Sequence, residues 1–107
     1  MSGYELRAAV SGDFPALAAL WELVFGDGAD FTDEFFRTMW TPGCCRVAEL
    51  GGKLAAMGFC LSGATALGRR CGYIYAMATH PEHRGHGLAA AIGRALVADA
   101  FGRGEDI

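Results

Sequence analysis

The sequence has no apolar stretch long enough to cross a membrane and no excess of basic residues. None of its hydrophobic runs reaches the ~18 residues that a transmembrane helix requires. Acidic residues outnumber basic ones by 12 to 9, for a formal net charge of −3, whereas nucleic-acid-binding domains usually carry a basic face. The segment Met1–Arg7 also lacks the basic stretch and apolar core of a signal peptide. These absences predict a cytoplasmic protein whose partners are neither nucleic acids nor membranes.

Cysteine is present, but without the spacing of a metal site. No CxxC pair occurs, which argues against zinc, and no secretory context is visible that would favour disulfides. We therefore interpret the cysteines as small, buried, apolar residues of a reducing compartment, with disulfides as the alternative. None has a base partner in the sequence, which argues against nucleophilic catalysis. The four are Cys44, Cys45, Cys60 and Cys71.

The length of 107 residues suits one domain and leaves no room for a second hydrophobic core. With 52% hydrophobic and 20% charged residues, the composition indicates a globular chain. Glycine is the one residue in clear surplus: it occurs 16 times, about double its usual share of ~7%. We expect this surplus in turns, helix caps or ligand-binding loops.

Periodicity and turn residues predict the order strand, helix, helix, strand, strand, strand, helix, which is a mixed α/β chain. Asp13 is the candidate N-cap of the first helix, and Asp30 or Thr32 of the second. The pair Gly51-Gly52 indicates a two-residue hairpin turn. The predicted strands are Tyr4–Ala9, Cys44–Leu50, Lys53–Leu61 and Cys71–Thr79, with a loop over Ser62–Arg70. The predicted helices run from the Asp13 cap to about Phe25, from Thr32 to Trp40, and from about Gly87 to Phe101.

The segment Arg84-Gly85-His86-Gly87-Leu88-Ala89 joins the last predicted strand to the last predicted helix. The N–H groups of a helix's first turn point outward and carry partial positive charge. Glycines allow a ligand oxygen to approach the backbone, and Arg84 can pair with a phosphate. This pattern suits a diphosphate, although an ordinary Gly-rich turn that caps a helix is the alternative. The GxxxxGK[ST] loop is absent, and the GxGxxG dinucleotide fingerprint is incomplete.

At this segment the chain resembles the GNAT superfamily of N-acetyltransferases. The family signature Q/R-x-x-G-x-G/A follows the fourth strand, and Arg84–Ala89 matches it, with a strand and Pro81 ahead of it. The predicted order of elements also resembles the N-terminal part of the family fold. The resemblance implies a mainly antiparallel sheet with helices on both faces, and a domain over residues 1–107 that stops after the cofactor-binding helix.

The resemblance also implies a function, an acetyl-CoA-dependent transfer of an acetyl group directly to a primary amine on a small molecule or peptide. The pyrophosphate of acetyl-CoA is expected on the amides of Arg84, Gly85, His86, Gly87, Leu88 and Ala89. The backbone of Ala76, Met77 and Ala78 is expected to pair with the pantetheine arm like an added strand.

The sequence departs from the family pattern at the catalytic groups. Many members carry a glutamate base on the fourth strand, but Cys71–Thr79 contains no carboxylate. The helix that often supplies a tyrosine acid follows the region present here, so the catalytic residues stay unassigned. The alternative function is a truncated, inactive acetyltransferase-like domain that binds CoA weakly or pairs with another chain. An exposed fourth strand would offer an edge for a homodimer.

Other residues have both a functional and a structural interpretation. His80, His83 and His86 recur every three residues, but no further ligands complete a metal site, so exposed turn residues are favoured. Tyr73 and Tyr75 share a strand face and could bind substrate, with core or cross-strand packing favoured. The acidic residues near the first helix–helix junction could attract an amine or serve as helix caps. The aromatic residues there could line an acceptor pocket or belong to the hydrophobic core. These acids are Asp27, Asp30, Asp33 and Glu34, and the aromatics are Trp21, Phe25, Phe35, Phe36 and Trp40.

Overall fold

Four antiparallel strands form one sheet in chain order, and three α-helices flank it. The computed structural model describes residues 3–64 and 68–106. The strands are β1 (Glu5–Ala8), β2 (Cys45–Leu50), β3 (Lys53–Ala64) and β4 (Arg70–Thr79), in the order β1-β2-β3-β4. The helices are α1 (Phe14–Phe25), α2 (Ala29–Thr38) and α3 (Leu88–Gly102), and short 3₁₀ turns at Ser11–Asp13 and Pro81–His83 precede α1 and α3. Within the described ranges, no helix is long and apolar enough to span a bilayer.

The helices lie on opposite faces of the sheet, so the predicted fold class is confirmed. Alternate strand residues face opposite sides, which gives the sheet two apolar surfaces. Helices α1 and α2 cover one surface, and α3 covers the other. The first core cluster includes Leu17, Trp21, Phe35, Val47, Met57 and Phe59. The second includes Ala48, Ala56, Cys60, Leu88, Ile92 and Leu96.

Helix α2 begins three residues earlier and ends two residues earlier than the sequence predicts. Its N-cap is Gly28, at φ 84°, and the Gly28 N–H donates to the carboxylate of Glu22 at 2.6 Å. Asp30 and Thr32, the predicted caps, lie inside the helix, where the Thr32 hydroxyl donates to the Ala29 carbonyl at 3.1 Å. The expectation of an Asp30 or Thr32 cap was therefore wrong, because the helix begins before both residues, with Gly28 as its N-cap.

Asp13 is the N-cap of α1, as predicted, but its side chain makes no cap hydrogen bond to that helix. Its carboxylate instead accepts the Val10 N–H at 2.8 Å and forms an ion pair with Arg7. This ion pair and hydrogen bond lower the pKa of Asp13, with the Arg7 hydrogen bond as the main cause. The N-cap residue of α1 is thus also tied to β1 through its ion pair with Arg7.

The Gly51-Gly52 hairpin is confirmed. Both glycines have positive φ, 60° and 81°, and Leu50 pairs with Lys53 across the turn. Positive φ at both central residues is the type I′ geometry that matches strand twist. Strand β3 extends to Ala64, beyond the predicted Leu61, because its last residues pair with the start of β4. The central residues of the predicted loop, 65–67, lie outside the described residues.

The cysteines are buried as expected except at one position. Cys44, Cys45 and Cys60 are buried free thiols, but Cys71, near the sheet edge, is only half-buried. Burial raises the pKa of Cys44, Cys45 and Cys60. Since the thiolate is the nucleophile, these three buried thiols are poorly suited to covalent catalysis.

Gly58 lets α3 and β4 approach the centre of β3. A Cβ at this position would lie 2.8 Å from Ile92 Cγ2 and 3.2 Å from Leu96 Cδ1, and it would overlap the sulfur of Met77. Real Cβ atoms do not come this close to their neighbours. The absent side chain is therefore a packing requirement of the second core cluster.

Replacing Gly58 by alanine is expected to destabilise the chain by about 1–3 kcal/mol, the usual cost of overfilling a core. Urea denaturation measures this change in the free energy of unfolding. Gly12→Ala is the matched control, because its Cβ would have no neighbour within 4 Å and its φ is ordinary. We expect that control to stay within about 0.5 kcal/mol of the parent. Equal unfolding midpoints for the two variants would contradict the close packing at Gly58.

Candidate functional site

The edge strand β4 contains a β-bulge at Ala76. Ala76 and Met77 together lie opposite Gly58, where regular pairing would place one residue. Ala76 has a φ of 51°, and it is the one non-glycine residue with positive φ among those described. A bulge bends its strand and changes the direction of nearby backbone groups. The strand therefore departs from regular pairing within Ala76–Ala78, the segment expected to contact pantetheine.

The outer edge of β4 is paired at its beginning. The Gly72 N–H donates to the Asp106 carbonyl at 2.7 Å, and the Asp106 N–H donates to the Arg70 carbonyl at 3.0 Å. This makes a parallel bridge between Cys71 and Asp106. In the part of the chain that the structure describes, no strand pairs with this edge from Tyr73 to Thr79. That stretch of backbone is open to an added strand or an extended ligand.

A buried carboxylate holds the segment after α3 in place. Glu105 is 3% exposed; it accepts hydrogen bonds from Arg103 at 2.9 Å and from the Ser62 hydroxyl at 2.5 Å. These two hydrogen bonds, Arg103 first, lower the pKa of Glu105. The carboxylate thereby links the end of α3 to β3, beside the bridge at Asp106.

The N-terminus of α3 presents the backbone of the Arg84–Ala89 segment to solvent. Gly85 and Gly87 have φ of 86° and 74°, a conformation that favours glycine. The first helical hydrogen bond runs from the Ala91 N–H to the Gly87 carbonyl, so the preceding N–H groups of the first turn lie outside the helical ladder. Apart from Leu88, whose side chain is buried against the sheet, the residues of this segment are exposed.

This segment fits a diphosphate on the geometry of its own residues. A Cβ at Gly85 or Gly87 would meet nothing within 4 Å, so the space above both glycines is open. The helix dipole and the outward N–H groups favour an anion there, and the exposed Arg84 adds a positive charge. The six residues that the sequence singles out could therefore hold the diphosphate of a nucleotide cofactor.

A cavity of about 410 Å³ opens beside the bulge, between β4 and the end of α1. Aromatic side chains form much of its wall, and Asp27 is its one carboxylate. The indole Nε1–H of Trp21 donates to the Asp27 carboxylate at 2.8 Å. The lining consists of Trp21, Phe25, Asp27, Ile74, Tyr75, Ala76 and Met77.

A second cavity of about 300 Å³ lies on the α2 side of Tyr75. The Tyr75 ring stacks on Phe35 with centroids 5.7 Å apart and meets Trp21 edge-on at 6.0 Å. Glu34 borders this second cavity and forms an ion pair with Arg37. Tyr75 lines both cavities and so forms the boundary between them.

Two of the four acids that the sequence indicates line the cavities on either side of Tyr75. Asp27 lines the cavity at the bulge and Glu34 lines its neighbour. Asp30 lies in the first turn of α2, while Asp33 borders a different cavity between α1 and α2. Asp27 and Glu34 therefore each line a cavity that Tyr75 borders, whereas Asp30 and Asp33 line neither of the two.

Both tyrosines of β4 are partly exposed. Tyr73, at 56% exposed, is not a core residue, but it pairs with Leu61 of β3 and its ring lies against Gly63, which is the cross-strand packing that the favoured interpretation allowed. A hydrogen bond with Cys71 raises the pKa of Tyr73. Tyr75 is 40% exposed and packs on Trp21 and Phe35 with the rest of its ring.

The aromatic residues predicted as core are not all buried. Trp21, Phe35 and Phe36 are buried, as expected. Trp40 is half-buried and Phe25 is 44% exposed at the rim of the cavity by the bulge. The pocket-wall alternative thus describes Phe25 better than the core interpretation does.

The three histidines cluster at the turn before α3. The Tyr4 hydroxyl is 2.8 Å from His83 Nδ1, and the Tyr4 ring lies 5.6 Å from the His86 ring. His80 Nδ1 accepts the Glu82 N–H at 3.1 Å. Across residues 3–64 and 68–106, no group of three His, Cys, Asp or Glu side chains is arranged to hold a metal ion. Sequence reasoning missed the Tyr4–His83 contact, because the two residues are 79 positions apart.

Comparison with known proteins identifies the same architecture. The Acetyltransferase (GNAT) family matches residues 14–107 of the chain. No curated protein has a significant match to the sequence.

Solved structures share the fold at low sequence identity. A predicted acetyltransferase with acetyl-CoA from Clostridium acetobutylicum superposes with a TM-score of 0.78 at 23% identity over 95% of this chain and 76% of its own. A ribosomal-protein-alanine N-acetyltransferase from Brucella melitensis biovar Abortus 2308 gives 0.74 at 20% identity over 95% and 74%. A provisionally assigned acetyltransferase from Pyrococcus horikoshii gives 0.76 at 16% identity, and this chain covers 99% of itself but only 37% of that protein.

The bulged edge strand, the glycine turn and the following helix all lie within the matched residues. With a family match over residues 14–107 and the shared fold, this chain belongs to the GNAT acetyltransferase family.

Proposed function

We propose that this chain binds acetyl-CoA and transfers its acetyl group directly to a primary amine. Family membership supplies acyl transfer as the reaction class. The observation that carries the proposal is the succession of three features along one part of the chain. The cavity at the bulge, the open edge of β4 and the N-terminus of α3 follow one another from Tyr75 to Ala89.

The α3 N-terminus is the proposed site of the pyrophosphate. Its outward N–H groups, within Arg84–Ala89, can donate to phosphate oxygens in a region where the helix dipole favours negative charge. The positive φ of Gly85 and Gly87 shapes the turn before the helix, and Arg84 offers a charge-assisted hydrogen bond.

The pantetheine arm is proposed to lie along β4 at Ala76, Met77 and Ala78. Pantetheine contains two amide groups, which can exchange hydrogen bonds with an open strand edge as an added strand does. Because Ala76 and Met77 also line the cavity, an arm in this position would direct the thioester toward the cavity. The acetyl group and the amine would then meet beside Tyr75.

The reaction proceeds without a covalent enzyme intermediate in this proposal. The nitrogen lone pair of the neutral amine attacks the thioester carbonyl carbon and forms a C–N bond. The tetrahedral intermediate collapses, the C–S bond breaks with its electron pair, and the thiolate of CoA takes up a proton. Starting from the ammonium form, the products are the amide, CoA and one released proton. The protein contributes by orienting the two reactants and excluding water.

Calorimetric titration of acetyl-CoA into the purified chain tests the proposal, with acetyl-pantetheine as the matched ligand. We expect acetyl-CoA to bind with a dissociation constant below 1 mM, and acetyl-pantetheine, which lacks the diphosphate, to bind at least tenfold more weakly. A panel of primary amines then reports transfer through release of the CoA thiol. No heat with millimolar acetyl-CoA, or equal binding of the two ligands, would contradict the proposed cofactor site.

A further inference from the structure

We propose that Asp27 recognises the acceptor, by holding its ammonium group in the cavity beside the β4 bulge. The inference rests on the proposed function, since it assigns the second substrate of that reaction. It names the chemical class of the acceptor, a compact cation with an apolar portion, and the residue that selects for it.

The composition of the cavity wall supports a cationic ligand. Asp27 is the one side chain in the lining that carries a full charge at neutral pH. Trp21, Phe25 and Tyr75 line the same cavity, and an ammonium is attracted both to a carboxylate and to the faces of aromatic rings. At about 410 Å³ the cavity falls within the range of small-molecule sites.

Asp27 is held in place by its neighbours on the chain. Helix α1 ends at Gly26, whose N–H donates to the Glu22 carbonyl at 2.9 Å. On the other side of Asp27, the Gly28 N–H donates to the Glu22 carboxylate at 2.6 Å. The backbone is thus fixed before and after Asp27, and the Trp21 indole fixes the carboxylate itself. A group ordered in this way loses little further freedom when it binds a ligand.

The position of Asp27 relative to the proposed cofactor is also suitable. Ala76 and Met77, the backbone proposed to lie along pantetheine, line the same cavity as Asp27. A cation bound by this carboxylate would therefore lie in the same cavity that the thioester is proposed to reach. Specificity follows from charge, because the carboxylate attracts a cation, repels an anion and gives a neutral acceptor no ionic attraction.

A purely structural role for Asp27 as the partner of Trp21 predicts a different response to substitution. In Asp27→Asn the amide oxygen can still accept the indole N–H, so the local structure is preserved while the negative charge is lost. Asp27→Ala removes both the charge and the hydrogen bond. The asparagine variant therefore separates recognition of a cation from support of Trp21.

Titration with n-butylammonium, with n-butanol as the neutral control, provides the test. The indole N–H resonance of Trp21 reports binding at the cavity, and that of Trp40, which does not line it, is the internal reference. We expect n-butylammonium to shift the Trp21 signal and to bind at least tenfold more weakly to Asp27→Asn. The weaker response to n-butanol should be the same in both proteins.

Three results would overturn the inference: no shift with 100 mM n-butylammonium, equal affinity of the parent and Asp27→Asn, or equal affinity for the amine and the alcohol. Acetyl-CoA binding, measured on the same samples, separates this inference from the proposed function. Cofactor binding without selective ammonium binding would refute the role of Asp27 alone. Selective ammonium binding without cofactor binding would instead refute the proposed transfer reaction.

Discussion

Ala89→Glu is expected to lower the affinity of the chain for CoA at least 100-fold while leaving its fold intact. Ala89 is exposed in the first turn of α3, within the segment proposed to hold the pyrophosphate. A carboxylate there would repel the diphosphate and compete for the N–H groups that bind it, and like charges in contact cost several kcal/mol. The same carboxylate favours the helix itself, because acidic residues near a helix N-terminus interact well with its dipole.

Ala98→Glu is the matched control for this substitution. Ala98 is also exposed on α3 and receives the same change of charge, but it lies nine residues further along the helix, about 14 Å at ~1.5 Å per residue. We expect its CoA affinity to stay within about threefold of the parent. Calorimetry gives both affinities, and thermal unfolding verifies that both variants fold. If the two variants bound CoA equally, the diphosphate site would have to lie elsewhere.

Trp21→Ala is expected to have the largest effect on stability, a loss of about 3–5 kcal/mol. Trp21 is 1% exposed and its ring lies 4.9–6.4 Å, centroid to centroid, from six other aromatic rings of α1, α2, β3 and β4. Truncation would leave a cavity and would also remove the indole N–H that Asp27 accepts. Because domains are usually stable by only ~5–15 kcal/mol, this single change removes a large part of the margin.

Chemical denaturation followed by circular dichroism measures that loss. Phe101→Ala is the control, since Phe101 is an aromatic residue of α3 that is 62% exposed. We expect its free energy of unfolding to change by no more than about 0.5 kcal/mol. An unfolding midpoint for Trp21→Ala close to that of Phe101→Ala would show that the aromatic cluster does not form the centre of the core.

The order of elements could be predicted because it depends on local signals. Gly51-Gly52 gives the hairpin its turn, and the Ala-rich run after Gly87 gives α3 its helix. The start of α2 could not be predicted, because the group that satisfies its first N–H, the Glu22 carboxylate, belongs to another helix. Local capping rules therefore favoured residues that lie inside α2.

One part of the candidate site could likewise be predicted from the sequence, and another part could not. The Arg84–Ala89 segment is visible in the sequence because a strand, glycines and a helix follow one another there. The bulge at Ala76 is not, since the extra residue is defined only by the pairing of β4 with β3. The cavity is also hidden, because it needs the end of α1 to meet the middle of β4. Sequence reasoning could thus list Asp27 among four acids but could not separate it from the others.

The absence of a side chain at Gly58 also affects how closely α3 packs on the strands β3 and β4. Met77 lies in the bulge and Ile92 lies on α3, and both pack into the space that a Cβ at Gly58 would fill. Strand β4 is proposed to hold one end of acetyl-CoA, and helix α3 is proposed to hold the other. Both therefore depend on the space that Gly58 leaves by having no side chain. We expect a methyl at Gly58 to displace the side chains of Met77 and Ile92, so a change in the middle of the sheet would reach both of the proposed cofactor supports.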